Sequence, residues 1–412
     1  MGTSAENPKK GGKPGMTNPV TQLQKNEQMI FDLRAMYADY GYAPFRIRKF
    51  EEYELYVKNK DFIDSANIIT FTDTNGKLMA LKPDVTLSVV KNSRDLPGQV
   101  QKVYYNENIY RVSRRSRMFE ELMQVGIECI GDIDDYNIHE VLMLAAMTLQ
   151  YVSPEGVLVV SDLDILSRIM DHYRVSGDVQ EELIVCLGEK NIHTLRRICG
   201  ECGIDPVCTN LLARMARIYG RPEKVLADLE QLIREAEAKV PEDGDGSAAG
   251  QEKPSLSEQV KAVTDHLRRL LDAFVDERVR DMIRIDFSVV SDVNYYNGIV
   301  FNGFAPGLPD CIISGGQYDR LMQKMKRRSG AIGFGVYMER LERYLVEGSD
   351  VDIDILLLYN EQEDMITVKR RVEELVCKGN RVLAQRAVPK KLVYRKLLRV
   401  KDGEVTEVES DD

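Results

Sequence analysis

Several things are missing from this 412-residue chain, and each absence removes a class of function. No stretch approaches the ~18 uninterrupted apolar residues of a membrane span, so an integral membrane protein is not expected. There is no G-x4-G-K-[ST] phosphate loop, no G-x-G-x-x-G after a strand and no G-x-S-x-G elbow. P-loop, dinucleotide-binding and α/β-hydrolase chemistry therefore have no anchor here. Histidine is scarce: His139, His172, His193 and His266 are the only four, none at a recognisable catalytic or metal spacing, which disfavours a histidine-centred hydrolase. Seven cysteines, an odd number thinly spread, do not make a disulfide framework and fit a reducing compartment. The N-terminal MGTSAENPKKGGKPGM is basic but has no apolar segment behind it, unlike a secretory signal. These readings together point to the cytoplasm. Positive charge is also in deficit, with 56 Lys and Arg against 66 Asp and Glu, a formal net charge of −10. Net acidity does not forbid a local basic patch, but it lowers the expectation of a nucleic-acid partner.

The composition is that of an ordinary globular chain, 43% hydrophobic and 30% charged, long enough for two or three domains. Residues 1–19 read as a disordered tail. Residues 20–159 open with a helix over Gln22–Tyr40, closed by Gly41, and continue into extended segments. Asp73-Thr74-Asn75-Gly76 between Ile68–Thr72 and Leu78–Leu81 is a hairpin signal. Lys102–Arg111 and Met123–Cys129 read as strands around an Arg-rich loop, followed by a helix over Tyr136–Tyr151. Residues 160–280 read as a helical block: Asp162–Arg174, Val179–Gly188, Ile192–Cys199, Pro206–Ile218, Pro222–Lys239 and Leu256–Phe274, with a loose loop at 241–254. Residues 281–348 return to strands at Ile283–Val290, Ile299–Phe304 and Cys311–Ser314, with helices over Gln317–Lys326 and Phe334–Val346. Residues 349–412 carry one β-α-β unit (Ile353–Leu358, Asp364–Cys377, Val382–Gln385). A basic stretch, Lys390–Lys401, and an acidic end, Glu404–Asp412, follow it. No internal repeat is present.

The polar residues of the strands carry the candidate chemistry. Gln124, Gly126 and Glu128 share one face of a strand by its two-residue period, with Met123, Val125 and Ile127 on the other. That face is either an ordinary solvent face or a ligand-bearing one. Asp84, in Lys82-Pro83-Asp84-Val85-Thr86, either caps the helix that follows or joins Thr86 in meeting an ammonium group. Tyr295-Tyr296-Asn297-Gly298 reads as a hairpin turn, or as aromatic walls for a planar ligand. His193, Cys199, Cys202 and Cys208 have irregular spacing inside predicted helices, and structural thiols are a better account of them than a tetrahedral zinc site.

Read in order, these segments resemble the core of histidyl-tRNA synthetases, a class II synthetase fold, from about Gln22 to Leu345. The segment TFTDTNGKLMALKPDVT is similar to that family's hairpin and substrate loop. NENIYRVSRRSRMFEELMQVGIECIGD is similar to class II motif 2 and its following strand. VNYYNGIVFNGF and ISGGQYDRLM are similar to the two histidine-specific signatures, and AIGFGVYMERLERYL to motif 3. The resemblance implies an α/β (α+β) fold: a mixed, mostly antiparallel sheet with flanking helices, a helical insertion and a small C-terminal α/β unit. It also implies a pocket for free histidine. Asp84 and Thr86 would hold the α-amino group, and Gln124 would reach the polar end. Arg111 would lie near the carboxylate, Glu128 and Tyr296 would contact the imidazole, and Tyr295 would line the wall.

The departures from that family bear on activity. Ser291 stands where the synthetases place an arginine that meets charge during adenylate formation. Val112-Ser113 follows Arg111 where Arg-x-Glu is usual, the motif 2 loop is one residue short, and Glu120 falls where a basic residue is expected. Tyr337 precedes Arg340 by three, where a glycine is usual. Losing electrostatic stabilisation of this kind is costly to catalysis, whereas binding alone needs less. The C-terminal unit reads as shorter than an anticodon-binding domain. This profile is similar to a synthetase-like family without synthetase activity, the regulatory subunits of short-form ATP phosphoribosyltransferases. That resemblance implies a non-catalytic chain that binds L-histidine as effector, forms a homodimeric unit and assembles with a short catalytic subunit. It implies no cofactor, no metal, no nucleic acid and no membrane. The alternatives are an active histidyl-tRNA synthetase and a histidine-binding regulator with another partner.

Overall fold

The computed structural model describes residues 25–60, 62, 68–95, 97–113, 116–239, 254–290, 295–345 and 351–408. The expected tail at 1–19 and loop at 241–253 lie outside these residues, as do Ser291 and the acidic residues after 408. The chain divides into two compact units. The first runs from Asp32 to Leu341. The second comprises the described residues up to Phe31 and from Glu342 onward.

In the first unit, β1 (Ala43–Pro44) leads to a small sheet of β2 (Phe50–Glu52), β3 (Thr70–Thr72) and β4 (Leu78–Leu81), in the order β2-β4-β3. The β3–β4 hairpin turns where Asn-Gly predicts. The Asp73 carboxylate accepts from the amides of Asn75 and Lys77, and Gly76 takes φ +82°, which glycine adopts without strain. A long antiparallel pair follows, β5 (Val100–Val112) with β6 (Phe119–Gly131), each 13 residues. Then come β7 (Val157–Asp162), β8 (Tyr219–Gly220), β9 (Ile283–Asp286), β10 (Asn297–Phe304), β11 (Ile313–Gln317) and β12 (Gly330–Tyr337). With β1 they form one nine-stranded sheet in the order β1-β5-β6-β12-β11-β10-β7-β9-β8. The β1–β5 and β7–β9 pairs are parallel and the rest antiparallel, giving the mixed, mostly antiparallel sheet expected.

Two local expectations are overturned, and two elements were not anticipated. Phe334–Tyr337 is the end of strand β12, and the helix starts only at Met338 (Met338–Leu345). Its glycines weaken every local strand signal, and pairing with β6 and β11 on both sides decides the conformation. The Tyr295–Gly298 segment is not a hairpin turn, because β7 lies between β9 and β10. β7 itself was not anticipated, nor was the short helix Glu277–Met282.

The helix Asp135–Val152 opens with a capping box between Asp134 and Asn137 and packs on one face of the sheet. Leu149 lies against Gly303 there, and Tyr37 and Phe301 meet the ring of Phe334 edge-on. The helical block runs through Leu163–His172, Gly177–Gly188, Ile192–Glu201, Pro206–Met215, Pro222–Glu237 and Leu256–Asp272. Asp162, Asn191, Asp205 and Ser255 cap four of these, each side chain accepting a first-turn backbone amide. Leu229, Leu267, Leu195 and Leu212 are fully buried in them.

In the second unit, β13 (Ile353–Leu358), the helix Met365–Cys377 and β14 (Val382–Gln385) form the expected β-α-β. The basic stretch after them keeps its cations exposed to solvent and is mostly one strand. It is β15 (Tyr394–Lys401), paired with β13 and with β16 (Glu404–Glu407) in a four-stranded sheet ordered β14-β13-β15-β16. Its cations point outward while Val400 is fully buried.

Candidate histidine-binding site

Register brings the polar residues of β6 beneath residues from three other strands. Glu128 pairs with Val103 and Gly333, Gly126 with Tyr105 and Gly335, and Gln124 with Glu107 and Tyr337. Gly333 in turn pairs with Gly316. The solvent-face alternative therefore fails: Gln124 is 7% exposed and Glu128 is 2% exposed. The glycines make the room. A Cβ on Gly333 would collide with Oε2 of Glu128, and one on Gly126 would come within 2.5 Å of the Tyr105 hydroxyl. Gly316 leaves space for the ring of Tyr296 in the same way.

Glu128 is held at both oxygens. Thr86 Oγ1 donates to Oε1 at 2.7 Å, and the Tyr318 hydroxyl donates to Oε2 at 2.6 Å. Burial penalises the charged form and pushes the carboxyl up to about 8, against the pull of these two donors. At neutral pH Glu128 is thus mostly a neutral acid, able to donate to one imidazole nitrogen and accept from another donor. The same burial raises Tyr318 and Tyr295 well above the ordinary phenol range, so both remain protonated donors.

Asp84 sits at the start of the helix Thr86–Asn92, where its carboxylate accepts from the amide of Leu87 at 2.9 Å. The cap reading is correct as far as it goes. Burial also raises its pKa, while the Leu87 amide and the Arg111 charge oppose that shift. Arg111 Nε donates to the Pro83 carbonyl at 2.8 Å, tying motif 2's strand to the Asp84 loop. Lys82, fully buried, pairs with Glu107 at 2.8 Å and fixes the other side of that loop to β5. Tyr295 is buried and stacks at a tilt against Tyr296, with ring centroids 4.7 Å apart, and Tyr318 lies 6.0 Å beyond. Asp84, Thr86, Glu128, Tyr295 and Tyr296 are therefore one cluster, Arg111 borders it through Pro83, and Gln124 lies two residue pairs along the same face.

Two contributors escaped the sequence reading. Tyr318 lay inside the quoted ISGGQYDRLM segment without an assigned role, and Tyr105 could be found only from the β5–β6 register. Farther along β12, Arg340 lies over the Tyr337 ring at 4.1 Å and donates to the Cys311 carbonyl, so that end of the face carries an aromatic–guanidinium stack. Among the described residues no three His, Cys, Asp or Glu side chains are grouped to hold a metal ion. Cys199 and Cys208 are buried and Cys202 is exposed. No helix among the described residues is long and apolar enough to cross a membrane.

A mostly antiparallel sheet carrying its polar groups on β6, roofed by paired tyrosines and flanked by a helical block, defines a class II synthetase-like protein. The match to the family profile makes this specific: it covers residues 19–243 and 242–341, and the chain belongs to the histidyl-tRNA synthetase family. Its relatives include proteins named ATP phosphoribosyltransferase regulatory subunit. The one from Oceanobacillus iheyensis is 21% identical over 85% of this chain and 82% of its own. The one from Thermoanaerobacter sp. is 26% identical over 80% and 82%. Among solved structures, an ATP phosphoribosyltransferase regulatory subunit/histidyl-tRNA synthetase from Bacillus halodurans superposes with a TM-score of 0.70 at 20% identity, covering 91% of this chain and 93% of that one. The ATP phosphoribosyl transferase complex from Thermotoga maritima matches with a TM-score of 0.53 at 14% identity, covering 76% of this chain and 97% of that one.

Proposed function

We propose that this chain is a non-catalytic, histidine-binding regulatory subunit of an ATP phosphoribosyltransferase, required for the first step of histidine biosynthesis and for its feedback control. The observation that carries the proposal is Glu128, buried and clamped by Thr86 and Tyr318 under a roof of tyrosines. An imidazole has one donor and one acceptor nitrogen, and a protonated carboxyl beside a tyrosine hydroxyl matches both. Asp84 takes the ammonium group, Arg111 and Gln124 the carboxylate, Tyr296 the ring edge, and Tyr295 closes the wall. The names of the relatives and the Thermotoga complex support a short phosphoribosyltransferase catalytic subunit as partner, and the assembly is a cytoplasmic hetero-oligomer built on a homodimer of this chain. Feedback then requires histidine to bind two states of that assembly unequally.

A working synthetase is the second reading, since the family includes those enzymes. Ser291, Ser113 and the Tyr337–Arg340 stack at the motif 3 end disfavour it. The test is calorimetric titration of histidine into wild type and Glu128→Ala, alongside catalytic-subunit assays with and without this chain. We expect saturable binding by wild type, a loss of about 100-fold or more in the variant, and histidine-sensitive activity only in the complex. Equal affinity in both proteins removes the pocket, and histidine-dependent pyrophosphate exchange by the chain alone restores the synthetase.

A further inference from the structure

Resting on that reading, we propose that the exposed cationic surface formed by residues 91–95 and 324–328 is the face that docks an acidic surface of the phosphoribosyltransferase catalytic subunit. Two segments far apart in sequence are joined here. Arg327 Nη2 donates to the Lys91 carbonyl at 3.2 Å. The Arg328 and Ser329 amides donate to the Asp95 carboxylate at 3.4 and 3.3 Å, and the Ser329 hydroxyl donates to it at 2.6 Å. The junction gathers Lys91, Arg94, Lys324, Lys326, Arg327 and Arg328, and all but the half-buried Arg327 are exposed.

Among the described residues, Glu51 and Asp95 beside this surface are already engaged. Glu51 is paired with Lys91, and Asp95 is spent on Ser329 and the backbone, which holds its carboxyl below the usual range. No ion pair or hydrogen bond reaches the charged ends of Arg94, Lys326 or Arg328 among the described residues. Several arginines of the helical block and the helix after it, by comparison, each meet a carboxylate of their own unit: Arg197, Arg214, Arg221, Arg268 and Arg280. In a chain of net charge −10, unpaired cations held side by side repel one another, and an approaching acidic face relieves that repulsion. A protein fits better than a nucleic acid. The chain's overall negative field opposes a long polyanion, no exposed aromatic among the described residues of the two segments interleaves the cations as a stacking platform, and arginines beside a few engaged acids are the composition of a protein interface.

The experiment measures association of the catalytic subunit with the full chain at low and at high salt. It compares wild type, Arg94→Glu/Arg328→Glu, and the same pair with Lys326→Glu added. Arg278→Glu/Arg386→Glu serves as a charge-matched control at exposed positions elsewhere. Thermal midpoints confirm folding of each variant. We expect the double reversal to weaken association about tenfold or more and flatten its salt dependence, with the control near wild type. A double reversal no weaker than the control overturns this inference and leaves the proposed function standing. Competition by a ribo-oligonucleotide that depends on Arg94 and Arg328 makes the surface a nucleic-acid site instead and also overturns it. A wild-type chain that never associates with the catalytic subunit overturns both.

Discussion

Along β6 the sheet buries Gln124 and Glu128 among glycines and tyrosines, while the helices from Leu163 to Asp272 bury mainly Leu, Ile, Val, Ala and Cys and keep their charges at the surface, several of them in pairs. The helical block follows the ordinary economy of a folded chain: apolar contacts stabilise it and surface charges add little. The β6 face departs from it. A carboxyl in the interior, three glycines that leave room for polar and aromatic side chains and a Lys82–Glu107 pair with the lysine fully buried are features that stability alone does not select. The contrast favours the β6 face as the site of the proposed function and the helices as its scaffold.

That contrast can be broken experimentally. The largest stability effect belongs to the helical block. Leu229→Ala, at a fully buried position, should cost about 2–5 kcal/mol in denaturant unfolding yet leave histidine affinity unchanged below its transition. Coupled loss of both would mean the block shapes the pocket. Gly333→Ala should cost less, about 1–3 kcal/mol, because one methyl must be accommodated. It should nevertheless weaken histidine binding more than tenfold, since that methyl displaces Glu128; calorimetry decides it.

A third effect is a pH slope. The Glu128 pKa stands at about 8, against an ordinary 4.5. Below the lower value both folded and unfolded states hold the proton. Between the two values the unfolded chain has released it and the folded chain has not, so stability falls as pH rises, by up to about 1.4 kcal/mol per pH unit from this group. Glu128→Gln should flatten the fall in thermal midpoint across that window. It should not abolish it, because burial raises Asp84 and lifts Asp162 to about 7 in the same direction. A variant with an unchanged slope would remove the neutral-acid assignment. The smallest effect is Arg197→Ala, which breaks an exposed i,i+4 pair with Glu201 and should change stability by less than about 0.5 kcal/mol.

Much of this was legible in advance where the signal was local. Helical spacing located the six long helices of the block, Asn-Gly located the β3–β4 turn, and alternation put Gln124, Gly126 and Glu128 on one face. Phe334–Tyr337 was misread because helical spacing from Met338 onward ran back into a glycine-rich strand with no pattern of its own. The aromatic pair was misread as a turn because nothing near Tyr295 announces that β7 will separate β9 from β10.

The sequence by itself determined the helices, the strand faces and the family, because periodicity, capping and collinear motifs act over a few residues at a time. Only the tertiary structure decided that Thr86 and Tyr318, 42 and 190 residues from Glu128, would converge on one carboxyl and that burial would raise its pKa against their pull. Desolvation depends on what surrounds a group in three dimensions, and strand register supplies those surroundings.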